Sequence, residues 1–150
     1  QVLNGGISGD TTAGGLRRLP WMLKNAAPDF VVIALGANDM LRGLPPHQTQ
    51  ENLRRMLELV KRQKRPVALL GVHAPANLGL DYVKSFNRLY DDLARDEKVP
   101  LLRNYISKVA GKWDLNLRDG IHPNAKGHQI LADHLFQFLN PLLKANRVNE

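Results

Sequence analysis

Short apolar runs alternate with longer amphipathic segments along this chain, and this alternation restricts the fold more than any other feature of the sequence. The apolar runs cover residues 2–3, 30–35, 66–72 and 99–102. Each run is followed by polar or glycine-bearing turns, which is typical of strands buried on both faces of a parallel sheet. The sequence therefore predicts four short strands, beginning with residues 2–3.

The segments between the apolar runs predict helices. In residues 48–65 the apolar side chains recur at the spacing of one helix face, and they are Leu53, Met56, Leu57 and Val60. Residues 82–98 and 124–144 show the same pattern. Residues 16–24 also predict a helix, which Pro20 is expected to start or kink. The last helix is expected to bury a stripe made of Ile130, Leu131, Leu135, Phe138, Leu139 and Leu142.

Strands and helices in this order predict an α/β fold. Right-handed crossovers place helices on both faces of the sheet, giving a three-layer α/β/α sandwich with a flavodoxin-like parallel sheet. The chain has 150 residues, of which 43% are hydrophobic, and no Pro/Gly/Ser-rich or charged stretch divides it. We therefore predict a single domain covering residues 1–150.

Charge and cysteine content exclude several classes of function. The net charge is +7, but the basic residues are spread from Arg17 to Arg147. The densest basic run, residues 61–65, ends a predicted helix and has no aromatic neighbours, so we expect no nucleic-acid partner. The sequence has no cysteine, which excludes disulfides and thiolate catalysis. No apolar run is long enough for an integral membrane segment.

One short motif, residues 119–123, suggests acid–base chemistry. Asp119 precedes His122 by three residues, with Gly120 in the turn between them. A histidine acts as a general base when one ring nitrogen is free and a carboxylate orients the other. His122 is also expected at the N-terminus of the last helix. The alternative is that Asp119 only caps a turn and His122 is an exposed loop residue.

Two further motifs follow predicted strands, at the sheet edge where α/β proteins hold their ligands. Residues 4–12 form a glycine-rich loop whose backbone N–H groups could face a developing negative charge, and the loop lacks the pattern of a phosphate-binding loop. In residues 36–39, Asn38 could donate a hydrogen bond into a cleft. Alternatively, Asn38 and Asp39 form an Asx-type turn.

Together the three motifs resemble the SGNH hydrolases, the GDSL esterases and lipases, and in particular the bacterial periplasmic thioesterase, lysophospholipase and arylesterase group. The resemblance implies that Gly9 and Asn38 supply oxyanion-hole donors. It implies that Asp119 orients His122 and that His122 is the catalytic base. The loop of residues 73–79 resembles the one that shapes the acyl pocket, which suggests substrate contacts for Ala76, Asn77 and Leu78.

The nucleophile is the part of the family pattern that this sequence lacks. The family's first block, Gly-Asp-Ser-Leu, is absent, and the only serines are Ser8, Ser85 and Ser107. Ser8 alone follows a predicted strand, but its surroundings do not complete the G-x-S-x-G pattern. We therefore expect an N-terminally truncated chain that lacks the first strand of the sheet and is inactive by itself. A missing N-terminal segment would then be its partner.

The resemblance implies a serine hydrolase that cleaves carboxylic ester or thioester bonds of small acyl substrates, without a cofactor. The alternative is a catalytically silent module that binds acyl chains or glycans, while a phosphoacceptor or flavin-binding relative is disfavoured by the loop composition. No metal site is expected, because His128 and His134 point about 240° apart around a helix. The resemblance also implies a periplasmic or secreted location.

Overall fold

The computed structural model describes residues 1–148, with side chains described as far as Asn146. The chain forms two compact units, Gln1–Arg103 and Asn104–Glu150. The prediction of a single domain stays a prediction. Within residues 1–148, no helix combines the length and the apolar character that a membrane span requires.

The first unit contains a parallel sheet of three strands in the order β1-β2-β3. The strands are β1 (Val31–Ile33), β2 (Val67–Leu70) and β3 (Leu101–Leu102). All four residues of the central strand β2 are buried, as expected for a strand with neighbours on both sides. The predicted α/β class with a parallel sheet is confirmed, although each strand is shorter than its apolar run.

The predicted strand at residues 2–3 is wrong. Val2 is 94% exposed and Leu3 is 57% exposed, and neither residue lies in a strand. An extended segment becomes a strand only when a neighbouring backbone pairs with it. Residues 2–6 instead border a groove of about 420 Å³, whose other walls come from β1 and from the helix that follows the glycine-rich loop.

Four helices accompany the sheet in the first unit. They are α1 (Thr12–Ala26), α2 (Ala37–Leu41), α3 (Pro46–Arg62) and α4 (Leu80–Glu97). The start of α1 at Thr12 shows that Pro20 does not begin this helix, which continues through the proline. The stripe predicted on α3 is confirmed, because Leu53, Met56, Leu57 and Val60 are all fully buried.

The second unit contains a short 3-10 helix, Trp113–Leu115, and the long helix α5 (Ala125–Val148). Its own core consists of Val109, Leu115 and Leu131, with Ile130 packed against it. The stripe predicted on α5 is therefore only partly correct. Leu131 is buried, whereas the others are half-buried, and these are Ile130, Leu135, Phe138, Leu139 and Leu142. A small cluster covers only part of a helix of this length.

Candidate functional site

A buried glycine sets the position of Asn38 in the first unit. Gly36 has a positive φ of 115° and directly precedes α2, three residues after β1 ends. The Tyr90 hydroxyl donates to the Leu35 carbonyl at 2.9 Å, and a Cβ on Gly36 would lie only 2.1 Å from that hydroxyl oxygen. Only glycine fits this backbone conformation and this close approach. Asn38 is thereby held beside the carboxyl end of β1.

The Asn38 side chain reaches the glycine-rich loop. Its Nδ2 donates a hydrogen bond to the Asp10 carbonyl oxygen at 3.0 Å. Asn38 and Asp39 lie in the helix α2, so the alternative of an Asx-type turn is wrong. A carboxamide carries two N–H bonds, and this hydrogen bond uses one of them. The structure thus brings residues 36–39 and residues 4–12 together beyond the carboxyl end of β1.

Two arginines hold the glycine-rich loop. Gly9 has a φ of +73°, and its carbonyl accepts a hydrogen bond from Nη2 of Arg42 at 2.7 Å. Arg18 donates to the Gly5 carbonyl through Nε and Nη2, at 3.3 and 3.1 Å, and pairs with the Asp10 carboxylate. The sequence pattern predicts neither arginine. No local pattern reveals them, because their partners lie as far as 33 residues away.

A buried carboxylate lies next to Asn38. Asp39 is only 1% exposed and binds residues of both α1 and α3. Its charge also acts on Tyr82, whose pKa is raised first by burial and then by the negative charge of Asp39. The Tyr82 hydroxyl donates to the Leu44 carbonyl at 2.9 Å, so α4 is tied to the segment after α2. From the sequence, Asp39 is predicted only as part of a turn.

In the second unit, Asp119 and His122 form a hydrogen-bonded pair. Oδ2 of Asp119 lies 2.8 Å from Nδ1 of His122, while Oδ1 accepts the backbone N–H groups of Ile121 and His122 at 2.9 and 3.0 Å. The carboxylate therefore caps the turn and also contacts the imidazole of the exposed His122, while the catalytic role of the pair stays a prediction. The backbone N–H groups of His122 and Ile121, and then the imidazole, lower the pKa of Asp119 to about 2.

The turn that carries this pair is tied to the start of α5. The Leu117 N–H donates to the His122 carbonyl at 2.7 Å. Asn124 caps α5, because its Oδ1 accepts the Gly127 N–H at 3.1 Å. His122 therefore lies two residues ahead of the capping residue, slightly outside the helix N-terminus where the sequence predicted it. The cap fixes the point at which the turn joins the helix.

The loop of residues 73–79 contains a 3-10 helix, Ala76–Leu78. Ala76 and Asn77 are exposed and Leu78 is half-buried. The Ala74 N–H donates to Oδ1 of Asn87 on α4 at 2.6 Å, which holds the start of the loop against that helix. The part of these residues in substrate binding stays a prediction.

None of the three serines occupies a position typical of a nucleophile. Ser8 and Ser107 lie in turns, Ser85 lies within α4, and all three are exposed. A nucleophilic serine of an α/β hydrolase sits at a strained turn from a strand into a helix, and none of the three does.

In the described part of the chain, no group of three or more His, Asp or Glu side chains is placed to hold a metal ion.

A family model matches most of the chain. Residues 1–130 match the GDSL-like Lipase/Acylhydrolase family. The chain belongs to this family. The resemblance to SGNH hydrolases that the three motifs indicated is therefore confirmed.

Individual relatives agree with this assignment. The chain is 41% identical over 143 residues to Esterase TesA of Pseudomonas aeruginosa, covering 95% of this chain and 71% of that protein. It is also 41% identical to Thioesterase 1/protease 1/lysophospholipase L1 of Escherichia coli K12, covering 95% of this chain and 69% of that protein. The crystal structure of the psychrotrophic esterase EstA from Pseudoalteromonas, inhibited by monoethylphosphonate, matches with a TM-score of 0.90 and 34% identity. That match covers 95% of this chain and 78% of EstA.

Proposed function

We propose that the protein is a serine hydrolase of the SGNH type that cleaves carboxylic ester or thioester bonds of small acyl substrates. The Asp119–His122 pair carries this proposal. The carboxylate holds Nδ1 at 2.8 Å, which leaves Nε2 as the ring nitrogen that takes up a proton. The depressed pKa of Asp119 keeps its charge available to stabilise the imidazolium that forms during the reaction.

In the proposed reaction, a serine oxygen attacks the acyl carbon while His122 removes the hydroxyl proton. Gly9, through its backbone N–H, and Asn38, through Nδ2, donate hydrogen bonds to the oxyanion. His122 then returns the proton to the leaving alcohol or thiol, and water repeats the sequence to release the acid. The Asn38 carboxamide suits this role because its bond to Asp10 holds its orientation before substrate arrives.

The substrate class follows from the relatives and from one loop. The relatives named above are described as an esterase, a thioesterase and a lysophospholipase, so an acyl group attached to oxygen or sulfur is the shared chemistry. We propose that Ala76, Asn77 and Leu78 contact the acyl group. The exposed methyl of Ala76 and the half-buried side chain of Leu78 offer apolar surface to such a group.

We propose that the nucleophilic serine lies on a segment outside these 150 residues. The exposed positions of Ser8, Ser85 and Ser107 support this, because none of them sits at a strand-to-helix elbow. The groove along β1 supports it as well. One edge of β1 pairs with β2, and the groove of about 420 Å³ adjoins β1 and is lined largely by apolar side chains. An added apolar strand would satisfy the free backbone groups of that edge.

Labelling with a fluorophosphonate, which reacts only with activated serines, tests the function and the location of the nucleophile together. We treat both the 150-residue chain and the protein that includes the proposed serine segment, called the longer protein below. The adducts are located by intact mass and peptide mapping. We expect one adduct in the longer protein, on a serine outside this sequence, and none on the folded 150-residue chain. An adduct on Ser8 would overturn the proposed location, and a longer protein that neither labels nor hydrolyses an ester would overturn the function.

The positions of the three serines also favour a second candidate, a catalytically silent module that binds acyl chains or glycans. Such a module would bind a fatty acid or an oligosaccharide but would release no product from a thioester. Calorimetry of the longer protein with these ligands, alongside a thioester hydrolysis assay, separates the two candidates. Turnover that depends on His122 excludes the silent module.

We also propose a periplasmic or secreted location, on the strength of the family resemblance. Fractionation of cells that produce the longer protein tests this location directly. Recovery of the protein with the cytosolic fraction alone would contradict it.

A further inference from the structure

Asp39 is a buried carboxylate whose hydrogen-bond partners in the structure are all uncharged. It is 1% exposed, and Oδ2 accepts the Thr12 N–H at 2.8 Å while Oδ1 accepts the Thr12 hydroxyl at 2.5 Å. The Thr49 hydroxyl donates to Oδ1 at 3.3 Å. No ion pair joins Asp39 to a Lys, Arg or His side chain of the described residues. Burying a carboxylate without a cation is costly, so these hydrogen bonds must compensate for the loss of water.

The orientation of the Thr12 hydroxyl is set by a further residue. Nδ2 of Asn52, on α3, donates to the Thr12 oxygen at 3.0 Å. Because that oxygen accepts the amide hydrogen, the threonine's own hydrogen is directed at Asp39. Thr12 is also the first residue of α1, whose opening N–H groups have no partner within the helix. Asp39 satisfies one of them and places a negative charge at the positive end of the helix dipole.

Asn38 and Asp39 therefore hold the glycine-rich loop at two points. Asn38 binds the carbonyl of Asp10, and Asp39 binds the N–H and the hydroxyl of Thr12, two residues further along. Gly9 is the residue directly before the first of these points. Two neighbouring residues of α2 thus fix the loop that carries the Gly9 N–H and also hold the Asn38 carboxamide. These are the two expected oxyanion donors.

We propose that Asp39 is a positioning residue for the oxyanion hole, and this inference rests on the function proposed above. Through Thr12, the carboxylate keeps the Gly9 N–H and the Asn38 carboxamide in a fixed relation to each other, so that both are in place before the oxyanion forms. Misplacing such donors by about an ångström lowers the rate about a hundredfold. Asp39 itself touches no reacting atom in this scheme, because its oxygens are occupied by the threonines.

A matched pair of variants tests the proposal. Thr12→Val removes the hydroxyl that links Asp39 to the start of α1. Thr49→Val removes a hydroxyl bound to the same carboxylate from α3, and no hydrogen bond in the structure joins Thr49 to residues 4–11. Each variant takes one hydrogen bond from Asp39 and keeps the size of the side chain, so a general loss of stability affects both. Thr12→Val also leaves the Asn52 amide without its acceptor, so the larger loss of stability is expected there. We compare the NMR signals of the Gly9 backbone amide and the Asn38 side-chain amide in the two variants.

We expect Thr12→Val to shift both signals and Thr49→Val to leave both near their wild-type positions. In the longer protein, Thr12→Val lowers kcat about tenfold to a hundredfold with little change in KM, and Thr49→Val lowers kcat much less. Unmoved signals in a folded Thr12→Val chain, or equal losses of kcat in both variants, would overturn the proposal.

The NMR comparison requires no turnover, so the two proposals can fail separately. If both signals respond as expected and the wild-type longer protein hydrolyses no ester, the proposed function fails while the tie between Asp39 and the loop stands. Asp39→Asn supplies a further check, because the amide cannot accept all three hydrogen bonds. It should shift the same two signals in the same direction as Thr12→Val, and the opposite direction or no shift counts against the proposal.

Discussion

Two side chains show how much the chemistry of single residues depends on their partners. Asn38 has one amide hydrogen bonded to the loop, and we propose that the second binds the substrate oxyanion. Asp119 uses one oxygen to cap its own turn and the other to contact His122. In each case a structural hydrogen bond orients the group that the proposed chemistry requires.

Replacing Asn38 tests the oxyanion role. Asn38→Ala should lower kcat of the longer protein about a hundredfold to a thousandfold, because the loss of one donor costs about 2.7 to 4 kcal/mol of barrier. KM should change little, since the donor acts mainly in the transition state. Asn25→Ala on α1, where the side chain bonds the Trp21 carbonyl, is the matched control. An Asn38→Ala enzyme as fast as wild type would remove Asn38 from the mechanism.

The Asp119 turn should titrate at low pH. The pKa of Asp119 is about 2 in the folded chain, against an ordinary value of 3.8, because two backbone N–H groups and the imidazole stabilise the carboxylate. The ionised Asp119 carboxylate therefore contributes its full stabilisation of the turn above pH 3.8. This contribution is lost as the pH falls towards 2 and the carboxylate is protonated. The amide signals of Ile121 and His122, followed by NMR, report it. A midpoint near 3.8 would contradict the geometry, and Asp119→Asn should abolish the transition.

At the scale of elements, the first turn of α5 packs closely against a backbone carbonyl and two side chains. A Cβ on Gly127 would lie 2.2 Å from the Leu115 carbonyl oxygen and 3.0 Å from Pro123. Helix and preceding loop therefore approach each other as closely as a glycine allows. This contact lies beside the turn that carries Asp119 and His122, so the element and the site are coupled.

Gly127→Ala should destabilise the second unit. Alanine favours a helix over glycine by about 1 kcal/mol, but the clash with a backbone carbonyl falls in the class of overpacking that costs about 1 to 3 kcal/mol. We expect faster hydrogen exchange of the α5 amides and a displaced His122 amide signal. Lys126→Ala, at the exposed neighbouring position, is the control and should leave both unchanged. If the α5 amides of Gly127→Ala exchange as slowly as those of wild type, the loop must shift to accommodate the added methyl group.

At the scale of the molecule, the groove beside β1 has consequences for association. Val32 in this strand is 39% exposed, and Val2, which also lines the groove, is 94% exposed. An apolar strand edge of this kind pairs readily with other chains. The 150-residue chain should therefore associate as its concentration rises.

Light scattering at increasing concentration measures this association. Val32→Lys should keep the chain monomeric, because a charged side chain at the edge opposes pairing. Leu80→Lys removes another exposed apolar side chain, outside the groove, and should associate as wild type does. Equal association of both variants would show that the groove is not the contact.

The sequence alone determined the α/β class, the buried face of α3 and the family, because each depends on local periodicity or on short motifs with fixed spacing. It also placed Asp119 and His122 in a turn ahead of the last helix, and Asn38 shortly after a strand, where the structure has them.

The tertiary structure alone decided that residues 2–3 form no strand, since pairing requires a second backbone that periodicity does not reveal. It alone showed that Asp39 binds Thr12 across 27 residues and that Arg42 binds Gly9 across 33. Contacts between residues so far apart in the chain arise only when packing brings them together, and no local pattern in the sequence records them.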